Sequence, residues 1–129
     1  MTHRARPQDS IQRAVFKHLR LRGAPCVFAF HPVNGGYRKP IEAAVLKGLG
    51  VCVGVRDVIA VYPGRCYGFE LKAVGGRPSE LQLGTISAME AARAICCIAE
   101  GLDRALAMLE VWGLLRGQAS ITTDKSIAR

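Results

Sequence analysis

Asp57, Glu70 and Lys72 are the residues whose types and spacing could do chemistry together. Glu70 and Lys72 stand two apart in the stretch Arg65 to Lys72, which reads as a strand, so both point to one side of it. Tyr67, Phe69 and Leu71 point to the other side, into an apolar layer. Val58 to Tyr62 reads as the strand before it, and Pro63-Gly64 as the turn of a β-hairpin. With the turn centred there, Tyr62 opposes Arg65. Asp57 then falls across from Glu70, with Cβ atoms about 5 Å apart.

Two facing carboxylates repel, and places where a sequence breaks a local rule tend to be functional. A divalent cation between them would remove the repulsion. Mg²⁺ accepts one or two carboxylates together with waters and substrate phosphate oxygens. Such an ion can generate a hydroxide nucleophile and stabilise charge on a scissile phosphate. Lys72 would hold the attacking water or the phosphate as a compact point charge. The competing reading is a solvated hairpin with an ordinary Glu-x-Lys pair.

Other elements must position this hairpin. Ile11, Ala14, Val15 and Leu19 recur at helical spacing, so a helix is expected from Ser10 to near Gly23, capped by Asp9. Cys26 to Phe30 reads as a strand, and residues 31–39 as a polar loop. Pro40 suits the first turn of a short helix, Ile41 to Leu49, stopped by Gly50. Ser79 caps a helix running to about Arg93, with Gln82 completing a capping box. Ala94 to Ala99 reads as a core strand, and Asp103 to Trp112 as a final amphipathic helix. The order predicts an α/β fold with a mixed central sheet flanked by helices.

The chain has 129 residues, half of them apolar, which suits one domain with a real core. Residues 1–7 read as a disordered basic N-terminus, 8–116 as the domain, and 117–129 as a polar tail. The formal net charge of +8 points to a polyanion, most often nucleic acid. No apolar run approaches the roughly 20 residues a membrane span needs. The start has no apolar signal segment either, so a cytoplasmic location, bacterial or in a phage-infected host, is expected. The five cysteines are odd in number and include no C-x-x-C pair, which argues against a zinc or disulfide framework and for buried small hydrophobes.

The run Gly54-x-x-Asp57, Glu70-x-Lys72 and Gly76-Arg77-x-Ser79-x-x-Gln82 resembles the virus-type replication-repair nuclease (VRR-NUC) domain of the PD-(D/E)xK nuclease superfamily. His31-x-x-Asn34-Gly35-Gly36 and the stretch Glu42 to Gly50 resemble it too, so the match spans roughly residues 8 to 112. The resemblance implies a restriction-endonuclease-like fold and a Mg²⁺- or Mn²⁺-dependent nuclease. It implies that Asp57 and Glu70 bind metal, that Lys72 acts in catalysis, and that Gln82 sits near the active centre. It further implies a homodimer acting on branched DNA, in repair or in a phage. A degenerate DNA-binding module of the same fold and a nuclease acting on RNA are the alternatives.

There are two departures from the family pattern. Arg56 stands where the family has Pro, and could touch a phosphate. Near the family's N-terminal metal-binding Glu this chain has Gln8, Asp9 and Gln12. Asp9 could replace the Glu or merely cap the helix. His31 and Asn34 either make turn chemistry or contact DNA near the cleaved strand. Arg38, Lys39, Lys47, Arg56 and Arg77 are expected to contact phosphates, which positions a duplex without reading its bases. Gln82 has two competing jobs, the capping box and the active centre, which look compatible only in alternate conformations.

Overall fold

The computed structural model describes residues 7–32, 39–52, 54 and 57–117. Its elements are α1 (Pro7–Arg22), β1 (Phe28–Phe30), α2 (Pro40–Gly48), β2 (Val58–Tyr62), β3 (Arg65–Lys72), α3 (Glu80–Ala91), β4 (Ile95–Glu100) and α4 (Leu102–Val111). The strands form one four-stranded sheet in the order β1-β2-β3-β4. The β1–β2 and β2–β3 pairs are antiparallel, while β3 and β4 are parallel. The parallel pair needs a crossover, and α3 supplies it. This is the mixed α/β sheet that the element order predicts.

The hairpin has the expected register, from Val58 opposite Phe69 to Tyr62 opposite Arg65. Its turn follows from two residues. The Pro63 ring holds φ near −65°, and Gly64 takes a φ of 83°, the pattern of a type II turn.

Strand alternation sorts the molecule into layers. Tyr67, Phe69 and Leu71 face a core that includes Val15 of α1 and Ala105 and Leu109 of α4. Trp112, just past α4, closes over that core, its ring centroid 4.9 Å from Phe69 and 5.1 Å from Tyr67. Burying each such side chain is worth about 1.5–3 kcal/mol. Residues of the opposite parity, Glu70 among them, face the side on which α3 lies. The chain after α4 returns to α1 through a bridge between Gly23 and Leu115. Buried Arg22 locks that junction, donating to the Glu110 carboxylate at 2.5 Å and to the Arg116 carbonyl.

Several boundaries differ from expectation. α1 begins at Pro7, so Asp9 lies inside its first turn and is not its cap. A proline at the first helical position has its φ already set, which starts the helix earlier than the polar residues suggest. β1 is shorter than expected, because Cys26 takes a φ of 70° in a turn and leaves only Phe28–Phe30 extended. α3 ends at Ala91 and α4 begins at Leu102, both within two residues of expectation. All five cysteines are free thiols, but none is fully buried. Cys26 and Cys52 sit outside the sheet and are exposed. The other three lie in β3 and β4, where Cys97 is buried enough to push its thiol up from the ordinary range.

Candidate active site

Three strand ends and one helix start converge at one end of the sheet. Because β1 and β3 both run antiparallel to β2, the residue after β1, the residue before β2 and the end of β3 meet there. These residues are His31, Asp57 and the pair Glu70 and Lys72.

Asp57 precedes the first paired residue of β2, and the register brings it beside Glu70. Its Oδ2 accepts the backbone N–H of Leu71 at 2.7 Å, which aims the carboxylate at the end of β3. His31 braces the same residue from the other side, its Nδ1 lying 2.6 Å from the Asp57 carbonyl. A carbonyl can only accept, so Nδ1 carries the proton.

Glu70 is wholly buried, at 0% exposure, although the hairpin pattern alone permits a solvated face. A buried carboxylate is costly unless it is paired and hydrogen-bonded. Lys72 Nζ lies 3.4 Å from Glu70 Oε2, and both side chains are almost fully enclosed. The Gln82 amide donates to the same oxygen at 2.5 Å.

Gln82 completes the capping box and reaches Glu70 in one conformation. Its Oε1 accepts the Ser79 backbone N–H at 2.8 Å, and its own N–H donates to the Ser79 hydroxyl at 3.1 Å. The amide NH₂ is then left over for Glu70. The cap of α3 and the orientation of Glu70 are therefore one hydrogen-bonded unit, which corrects the expectation of alternate conformations.

Gly54 has a part that its place in the motif did not disclose. Its φ is 84°, and a Cβ there would lie 2.9 Å from the Leu81 carbonyl oxygen and 3.0 Å from the Thr85 hydroxyl. Only glycine lets the chain approach α3 this closely before it reaches Asp57. Gly54→Ala is expected to cost at least about 1–2 kcal/mol from the left-handed φ alone. Displacement of the segment from α3 adds to that cost. A urea titration reads the stability loss.

The remaining sequence-predicted residues divide into three groups. Lys39, at the N-cap of α2, and Lys47, in its last turn, are exposed. Arg77 is exposed in the link between β3 and α3. Asn34, Arg38 and Arg56 lie outside the described residues. Asp57, Glu70, Lys72, Gln82 and His31 come together. His31–Asp57 and Gly54–α3 were invisible in the sequence, because both join segments far apart in the chain.

The donor set suits a hard divalent cation. Asp57 and Glu70 offer carboxylate oxygens, and one or two carboxylates suffice for Mg²⁺ when water and phosphate complete its shell. Among the described residues no cluster of three or more His, Cys, Asp or Glu side chains fit for a metal occurs.

No family model matches the chain, and no curated protein does either. Among solved structures, a "VRR_NUC domain protein" matches with a TM-score of 0.68, covering 85% of this chain and 90% of that one at 17% identity. The four-stranded mixed sheet with its flanking helices thus defines a restriction-endonuclease-like α/β protein. More particularly, its fold is VRR-NUC-like.

Proposed function

We propose that this chain is a Mg²⁺- or Mn²⁺-dependent nuclease that hydrolyses phosphodiester bonds in DNA. One observation carries the reading. Glu70 is held in a wholly buried position by Lys72 and Gln82, at the sheet end where Asp57 also lies. A fold that needed only stability would gain from an apolar residue there.

In this reading Asp57 and Glu70 would hold the cation, which would supply Lewis-acid stabilisation of charge on the scissile phosphate. Lys72 neutralises Glu70 and presents a positive charge beside the substrate. Gln82 keeps Glu70 in one rotamer, and such supporting hydrogen bonds are worth 10–100-fold in activity. His31, Lys39, Lys47 and Arg77 contact the DNA backbone, joined by Asn34, Arg38 and Arg56. The nuclease unit spans 8–116.

A homodimer acting on branched DNA extends the proposal. Ile41 and Val45 of α2 and Leu49 at its C-cap form a stripe, with Ile41 80% exposed, and no residue of α2 is buried. An identical stripe on a second copy covers it through a two-fold axis. Val45→Glu is expected to leave a monomer, as read by sedimentation velocity. An unchanged sedimentation coefficient, with the wild type dimeric, would remove α2 from the interface.

The test incubates the protein with end-labelled four-way, flap, single-stranded and duplex DNA and with RNA. Each is run in Mg²⁺, Mn²⁺ and EDTA, beside Asp57→Ala. Metal-dependent cleavage of DNA that is lost in the variant supports the proposal. Binding without cleavage under every metal condition favours a degenerate DNA-binding module, and cleavage of RNA alone reassigns the substrate.

A further inference from the structure

The solvent face of α1 carries one sign of charge. Its exposed positions along Ser10, Arg13, Lys17 and Arg20 follow helical spacing, and three of the four are cationic. The only acid in the helix is Asp9. Arg13, Lys17 and Arg20 make no ion pair with any described residue, whereas buried Arg22 is paired with Glu110. The three cations line one open depression together with Gln12 and Phe16.

Such a stripe works against its own helix. Like charges three and four residues apart cost about 0.2–0.5 kcal/mol per pair. A solvated helix face ordinarily mixes the signs. The cations spread over about 10 Å of helix, and a DNA strand carries one charge per 3.4 Å of axis. Bound phosphates would turn the repulsion into attraction.

The stripe lies on the other side of the sheet from Glu70. α1 packs on the face of the sheet reached by Tyr67, Phe69 and Leu71, while Glu70 meets α3 on the other. The sheet and the body of α1 stand between the stripe and the carboxylates.

We infer that the outer face of α1 is a second phosphate-binding surface, which holds a duplex segment other than the one at the carboxylates. The inference rests on the nucleic-acid part of the proposed function and not on cleavage. A lipid surface is the other polyanion to consider. It would call for an apolar flank, and beside the cations only Leu21 is a large exposed apolar side chain of α1.

The test is the salt dependence of binding in EDTA, where cleavage cannot intervene. The triple variant Arg13→Gln, Lys17→Gln, Arg20→Gln keeps helix propensity and removes the repulsion, so it should fold. Two probes are used, a duplex of about ten base pairs, one helical turn, and a four-way junction with longer arms. On the junction the slope of log affinity against log salt should fall by about 2–3, three contacts at roughly 0.9 each. On the short duplex the slope should stay put, as should its metal-dependent cleavage.

An unchanged junction slope overturns the inference. So does an equal fall on both probes, since the stripe would then lie on the same DNA track as the carboxylates. Loss of binding to phosphatidylserine vesicles with DNA binding intact reassigns the stripe to a membrane. Should the wild type bind DNA but never cut it, the nuclease reading fails while this one stands.

Discussion

Glu70→Gln is expected to abolish metal-dependent cleavage, by about 1,000-fold or more, while the protein stays folded. A metal's charge stabilisation of a phosphoryl transition state is worth several kcal/mol, and the variant removes one of the two carboxylates that would hold it. The amide is nearly isosteric, and its oxygen can still accept from Gln82. Its neutrality also removes the desolvation cost of a carboxylate that is wholly buried. Lys72 loses its partner but retains a small exposed fraction through which to reach water. The melting temperature should therefore stay within a few degrees of the wild type. Wild-type cleavage rates in Glu70→Gln, with the fold intact, would remove Glu70 from the site.

Lys72→Met should be the most damaging single change, in stability as well as activity. It leaves the Glu70 carboxylate buried without the ammonium that lies 3.4 Å away. Breaking a buried pair by removing one partner costs about 3–5 kcal/mol. For a domain of this size that lowers the melting temperature by 10 °C or more. The pair of variants separates charge from shape, since removing the acid is tolerated and removing the base is not. A divalent cation offers Glu70 a substitute positive charge. Mg²⁺ or Mn²⁺ should raise the melting temperature of Lys72→Met more than that of the wild type, and that of Glu70→Gln least. Differential scanning fluorimetry across a metal series reads all three. Equal shifts in the wild type and both variants would mean that the cation binds away from Glu70.

Both predictions depend on Glu70 being enclosed, which the hairpin pattern could not establish. The amide of Gln82 contributes as well. Because it is tied to Ser79, loosening the cap of α3 should be felt at Glu70.

The sequence by itself determined what local chemistry decides. Pro63-Gly64 sets the turn, the turn sets the register, and the register brings Asp57 beside Glu70. Ser79 and Gln82 form their capping box within one helical turn. The helix and strand periodicities placed eight elements in the right order with boundaries off by a few residues. Tertiary structure decided the rest, because each remaining feature joins segments distant in the chain. α3 folding back onto the sheet makes Glu70 a buried charge and lets one glutamine cap and support at once. The return of β1 beside β2 puts His31 on the Asp57 carbonyl. The close approach of Gly54 to Leu81 turns an ordinary glycine into a spacer for the site. Periodicity reports which face a residue takes on its own element, but not which element will cover that face.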